Sequence, residues 1–470
     1  MTRSSQSSRA KTSSEAIERM AAPSLPGDAS RTLARWVSGL RYEEIPAHLL
    51  ELAKLQILDT LGAAWAGSNA ESIDGVRSVV ARQGGQPESR VWHYGDRLPA
   101  TQAAFVNGML AAALDVDSLH DRANVHSDGV IVPALFALAE ARGLSGRRLL
   151  SALVAGGELA VRLGIAARSS PGWFYSSVFG VFGAAAAAAH LLGLDERRTL
   201  HALGIAMSHA AGTQQPLLER SLTKRLQTAF ASRAGVEAAL LAEAGVSGPA
   251  QPIEGGAGIA VLYTALNGAL LDGLGESFES AGMTFKKFAS CMCNQAPIEA
   301  ALELSRRWEL DPESLQHVAI TVSPFMGRLT GAPFVPGDNP QVSAQFSVRY
   351  SVASSLLRKR FDVQDITASR ILDPLVLALA DRVEVRLNES EGRFGPARIE
   401  VRTKAGETHA AVVANPPGTP ASPLPVPALI AKARNAFTTA AAPMSASRAE
   451  ALLEAIQGLD RCQNIAALLD

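Results

Sequence analysis

From Ser30 to about Leu271, apolar residues recur every three or four positions and glycines interrupt them, the pattern of successive amphipathic or buried helices. The run Leu-Leu-Glu-Leu-Ala-Lys-Leu-Gln-Ile-Leu-Asp-Thr-Leu-Gly over 49–62 is one such helix with its stop. The same period predicts helices over 102–114, 133–141, 147–163, 183–192, 195–206 and 229–244. Pro133 is expected in the first turn of its helix, where a missing N–H costs nothing. Gly143, Gly193 and Gly245 fall where C-caps belong. No strand–helix alternation appears, which disfavours a doubly wound sheet.

The period changes near Thr284. Residues 317–323, 382–387 and 397–403 alternate polar and apolar side chains, as half-exposed strands do. Helical stretches at 295–308 and 347–357 accompany them. A proline-rich crossing follows at 416–427, then helices over 428–437 and 447–456. The expected fold is mostly α with an α+β second domain: a large helical domain over 29–275, a lid over 284–412, and a segment over 413–470 returning to the helical domain. Residues 1–28, rich in Ser, Arg and Ala, read as a solvated tail.

Composition narrows the function. In 470 residues, 47% are hydrophobic, 19% charged and 5% aromatic, the balance of a packed aliphatic core. Forty-four Lys and Arg against 45 Asp and Glu leave a net charge of −1, so a nucleic-acid surface is not expected. The longest weakly polar stretch, 178–193, falls short of a bilayer span, and no membrane association is expected. Three cysteines cannot all pair and suit a reducing, cytoplasmic setting.

Three polar clusters stand out. Residues 115–129 (DVDSLHDRANVHSDG) hold two imidazoles, four carboxylates and one guanidinium between apolar helices. Such a loop suits proton transfer and equally suits a divalent metal. Lys224 and Arg225, in Ser221-Leu222-Thr223-Lys224-Arg225-Leu226, can cradle an anion near a helix start. Lys286 and Lys287 lie between Phe285 and Phe288. Cys291-Met292-Cys293 lacks the second pair of a zinc site, and no P-loop, nucleophile elbow or HExxH is present.

Taken in order, Asp59-Thr60-Leu61-Gly62, Ala104-Phe105-Val106-Asn107-Gly108, Leu114-Asp115-Val116-Asp117 with His126, Leu191-Leu192-Gly193-Leu194, Thr223-Lys224-Arg225-Leu226, Lys286-Lys287-Phe288 and Ala344-Gln345-Phe346-Ser347 resemble the MmgE/PrpD family from about 30 to 435. The resemblance implies a homodimer with its active site between the domains, working without metal or organic cofactor on di- and tricarboxylates. It puts the catalytic aspartate on Asp115, the loop histidine on His126 and the substrate-binding lysines on Lys224 and Lys286. Arg225, Lys287 and His120 are further candidates for substrate binding, and Tyr175 for proton donation. His126 is expected to be positioned by Asp115.

Several family positions differ. Asp-aromatic-Asp-Asp reads Asp115-Val116-Asp117-Ser118, and family histidines fall on Ala112, on Phe174 or Tyr175, on Gln227, and on Gln295 after Ala289-Ser290-Cys291. A lid tyrosine falls near Gly327, beside Arg328. The expected activity is a cofactor-free lyase dehydrating a 2-methylcitrate-like hydroxy acid. The alternatives are an epimerase or a decarboxylase of an iminodisuccinate- or cis-aconitate-like acid, or an inactive carboxylate-binding relative.

Overall fold

The structure is a computed structural model describing residues 25–168, 172–390 and 392–469. Most of the tail expected over 1–28 lies outside the described residues. The helical part contains α1 (Ala29–Gly39), α2 (Ala47–Gly67), α3 (Ala100–Ala112), α4 (Asp128–Arg142), α5 (Gly146–Ala166), α6 (Gly180–Leu192), α7 (Glu196–Met207) and α8 (Thr223–Glu243). Small residues let these helices approach closely. Gly156 of α5 lies against Gly183 of α6, Gly235 of α8 against Ala184, and Gly108 of α3 against Ala229. A side chain larger than glycine would force these backbones apart, so alanine and glycine content sets the packing distance. Gly143 and Gly193 close α4 and α6 in the left-handed conformation.

Two helical segments, Gly146–Ala166 and Tyr175–Leu192, are long and apolar enough to cross a membrane. Sequence reading anticipated none. Their apolar windows are 94% and 89% buried within the fold, so neighbouring helices already cover them.

The lid is built on a four-stranded mixed sheet ordered β4-β3-β5-β6, with β3 Leu315–Val322, β4 Val383–Leu387, β5 Ala397–Thr403 and β6 Thr408–Val413. A separate hairpin pairs β1 (Ser89–Arg90) with β2 (Arg97–Leu98). β3 pairs parallel with β4 and antiparallel with β5, and β5 pairs antiparallel with β6. Ala397, Ile399, Val401 and Thr403 point inward from β5, under α9 (Met292–Trp308), which also packs on α11 (Val348–Arg358). The short α10 (Pro324–Thr330) follows β3. The chain then returns, and α12 (Val426–Thr439) packs on α2. Gly418 makes this return possible. Its φ of 91° lets Phe285 N–H reach Gly418 O at 3.0 Å where a β-carbon would collide with Phe285 O.

Three local expectations change. Pro133 lies inside α4 rather than in its first turn, because Val130 and Ile131 already bond back to Ser127 O at 3.1 and 2.9 Å. α8 begins at Thr223 rather than 229, so Lys224 and Arg225 belong to its first turn. β6 was not anticipated, since Thr-His-Ala-Ala-Val-Val lacks a clean alternation.

Candidate active site

The loop between α3 and α4 turns at Asp115, whose φ of 54° is left-handed. An aspartate tolerates this conformation better than a bulky or branched residue does. The turn aims its buried carboxylate at two ammonium groups. Lys224 Nζ, from the first turn of α8, donates to Oδ1. Lys286 Nζ stands 3.2 Å from Oδ2 and donates to the Asp115 main-chain oxygen at 2.7 Å. Lys286 is fully buried. Burial alone would push the Asp115 pKa up, but Lys224 and Lys286 outweigh it and hold it below the usual range. The Lys224 pKa is correspondingly raised, because Asp115 and Asp117 outweigh its desolvation.

Lys286 is held there by its neighbours. Thr284 and Leu119 exchange main-chain hydrogen bonds at 2.8 and 3.0 Å, tying the entry to the lid onto the loop between α3 and α4. Lys432 of α12 bonds Asp59 Oδ1 at 2.7 Å and Val116 O at 2.9 Å, gripping the loop between its two aspartates.

His126 is positioned by Asp117, not by Asp115 as sequence reading expected. Asp117 Oδ2 and His126 Nδ1 are 2.8 Å apart, and Ser176 Oγ accepts from His126 N–H at 3.0 Å. The αL turn at Asp115 sends the two aspartates to different partners. Desolvation pushes Asp117 upward, but His126, Lys286 and Lys224 prevail and hold it ionised. An ionised Asp117 assigns the proton to Nδ1 and leaves the Nε2 lone pair free. Burial, with the positive charge of Lys286 and Lys224, lowers the His126 pKa.

Asp115, His126 and Lys224 face a small chamber of about 60 Å³ between the helical part and the lid, with Asp117 and Lys286 buried behind them. Asp115, His126, Phe174, Ser176, Gln214 and Lys224 come from the first. Cys291, Met292, Cys293, Phe325, Phe346 and Phe394 come from the second. The Lys224 ammonium lies 5.8 Å from the ring centres of both Phe174 and Phe346. An outer cavity of about 1350 Å³ shares Asn124, Gln214, Phe325 and Leu329 with the chamber and opens it to solvent.

The other sequence candidates stand elsewhere. Tyr175 lines the outer cavity, and its hydroxyl donates to Arg168 O at 3.1 Å. Arg225 points away and donates to Glu71 O at 3.2 Å. Lys287 pairs with Glu299 at 2.6 Å. His120 is buried against Glu279 O, with Nδ1 accepting from Ala123 N–H. None of these last three lines the chamber or the outer cavity, because each is drawn to a nearer partner.

Sequence reading missed Asp128, which is buried at the start of α4. Its carboxylate accepts from Ser118 Oγ at 2.5 Å, Gln56 at 3.0 Å and Ser127 Oγ at 3.1 Å. It therefore ties the neighbours of Asp117 and His126 together. The DxD…HxD spacing was the available signal, but spacing alone does not say which carboxylate turns inward.

Asp115, Asp117 and His126 are close enough to share a metal ion. Both Asp115 oxygens already meet ammonium groups, and Asp117 Oδ2 meets the imidazole. Their charge is thus met by the chain's own cations, a setting unlike a metal cage.

The MmgE/PrpD N-terminal domain matches residues 31–269, and the MmgE/PrpD C-terminal domain matches residues 288–458. Cis-aconitate decarboxylase of Aspergillus terreus is 28% identical over 474 residues, covering 93% of this chain and 94% of that protein. The cis-aconitate decarboxylases of Mus musculus and Homo sapiens are each 29% identical, over 76% of this chain and about the same share of their own lengths. The order of motifs, the two-part fold and both domain matches agree: this chain belongs to the MmgE/PrpD family.

Proposed function

We propose that this protein is a cofactor-independent lyase acting on a small polycarboxylate, and that its reaction is decarboxylation of a cis-aconitate-like tricarboxylate. One observation carries the choice. A single imidazole, oriented by Asp117, faces a chamber otherwise walled largely by aromatic and aliphatic side chains. Decarboxylation needs one proton delivered to carbon, and an apolar wall favours a carboxylate that sheds its charge as carbon dioxide. The C–C bond breaks and carbon dioxide leaves, the electron pair enters the unsaturated chain as an enolate-like anion, and His126, which has first taken up a solvent proton at Nε2, delivers that proton to carbon and returns to its neutral form. Lys224 supplies the positive charge that stabilises the anion. The A. terreus, mouse and human relatives carrying the decarboxylase name support the same reading.

Dehydration of a 2-methylcitrate-like acid is the second reading, favoured by the lowered His126 pKa, which suits a base. There Nε2 takes a proton α to a carboxylate and the hydroxyl leaves as water. The pH dependence of kcat separates the two. An acid at His126 makes the rate fall as pH rises through its pKa in the complex, and a base makes it fall as pH drops. Carbon dioxide release from cis-aconitate with a descending alkaline limb supports decarboxylation. Water loss from a hydroxy acid with an ascending acid limb overturns it.

In the same reading the chain works as a homodimer. Light scattering at micromolar concentration is expected to give about twice 49.3 kDa, and a monomer mass contradicts this.

A further inference from the structure

The inner chamber is electrically balanced before any substrate enters. Two ammonium groups, Lys224 and Lys286, stand against two carboxylates, Asp115 and Asp117, and the imidazole has a lowered pKa. A substrate with several negative charges therefore finds little net attraction at the reacting end. The outer cavity is different. Its lining includes Arg122, Arg328 and Arg393 and, among the described residues, no aspartate or glutamate. Arg122 is paired with Glu279 at 3.2 Å. Among the described residues, Arg328 and Arg393 have no carboxylate partner.

Both guanidinium groups stack on one ring. Arg393 Cζ lies 4.5 Å from the Phe325 centre and Arg328 Cζ lies 5.3 Å from it. Phe325 meets Phe394 edge-on at 5.6 Å, and both rings also line the chamber. Ser323 fixes the arrangement: its hydroxyl caps α10 at Met326 N–H and donates to Arg393 O at 2.8 Å. One serine thus joins the helix bearing Arg328 to the β4–β5 loop bearing Arg393. Aromatic stacking leaves the planar N–H edges of a guanidinium available for a carboxylate.

We propose that Arg328 and Arg393 form an anion subsite that binds the distal carboxylate of the substrate, the one remote from His126. The subsite selects acids with a carboxylate group reaching past Phe325 into the outer cavity. The carboxylate chemistry rests on the polycarboxylate reading above, whereas the subsite itself rests on two guanidinium groups that share one ring and, among the described residues, meet no carboxylate.

Calorimetric titration with two unreactive probes, tricarballylate (three carboxylates) and succinate (two, without the third arm), tests this without turnover. The proteins are wild type, Arg328→Gln/Arg393→Gln and Arg328→Lys/Arg393→Lys, each checked by circular dichroism. The Gln pair is expected to weaken tricarballylate binding by about tenfold or more while changing succinate by less than about twofold. The Lys pair, which keeps the charge and the fold, is expected to fall between. Tricarballylate bound within twofold of wild type by the Gln pair overturns the proposal. So do equal losses for both probes, or no binding of tricarballylate to wild type. Arginine-dependent binding with no turnover of any polycarboxylate would leave the subsite standing and remove the decarboxylase reading, so the two fail separately.

Discussion

Asp117 and His126 stand nine residues apart in the chain, and their side chains meet at 2.8 Å over a loop whose ends Asp128 ties together. That contact assigns the proton to Nδ1 and directs Nε2 into the chamber. Asp117→Asn keeps the size of the side chain but loses the anion that orients the imidazole. We expect kcat to fall by about 10²–10⁴-fold with polycarboxylate binding nearly unchanged. Steady-state kinetics beside calorimetry checks this, and a loss confined to KM would contradict it.

The Asp115–Lys224–Lys286 group also holds the fold together. Removing the carboxylate leaves the fully buried Lys286 without its counter-charge. Asp115→Ala is expected to cost about 3–5 kcal/mol in urea unfolding, and Asp115→Ala/Lys286→Met is expected to recover part of that loss. Equal stability of the two variants would argue against the pairing.

Asp128 gives a pH signature. Burial raises its pKa to about 6, against opposing hydrogen bonds from Ser118, Ser127 and Gln56. The folded state therefore holds this proton more tightly than the unfolded state, where the value is near 3.8. Its contribution to stability is greatest below about pH 4, declines as pH rises to about 6, and is flat above. Asp128→Asn lacks that decline. Between pH 4 and 7 the stability difference should move in the variant's favour by up to about 3 kcal/mol. A difference independent of pH would contradict the assignment.

Gly129 bears on the same pair through space rather than charge. A β-carbon there would lie 3.0 Å from Asp117 Oδ2, tighter than ordinary contact. Gly129→Ala should displace the carboxylate by a few tenths of an ångström and lower kcat, while thermal stability changes little. Unchanged kcat would show that the Asp117 carboxylate has room to shift without consequence.

The helical part and three of the four lid strands were legible because their apolar periods are long and clean. The segments Asp115–His126, Lys224 and Lys286 were legible as motifs, and the fold brings them within one cluster. What the chain did not reveal was direction. Asp115 and Asp117 are two residues apart and chemically identical, and only the left-handed φ at Asp115 decides which one meets the lysines. Lys286 and Lys287 are adjacent, yet one is buried on Asp115 and the other reaches Glu299. Arg328 and Arg393 lie 65 positions apart (393 − 328) and converge where the β3–β4 pairing and Ser323 join their segments.

In the proposed reaction His126, held by Asp117, transfers the proton in a cofactor-free lyase step on a polycarboxylate. The most direct measurement follows cis-aconitate by proton NMR in deuterated buffer with metal chelator present, comparing wild type with His126→Gln. The account predicts loss of carbon dioxide with one deuterium placed on the product carbon, at a rate at least about 10²-fold lower in the variant. Wild-type turnover that His126→Gln leaves intact would contradict it, as would no change in cis-aconitate at high protein concentration.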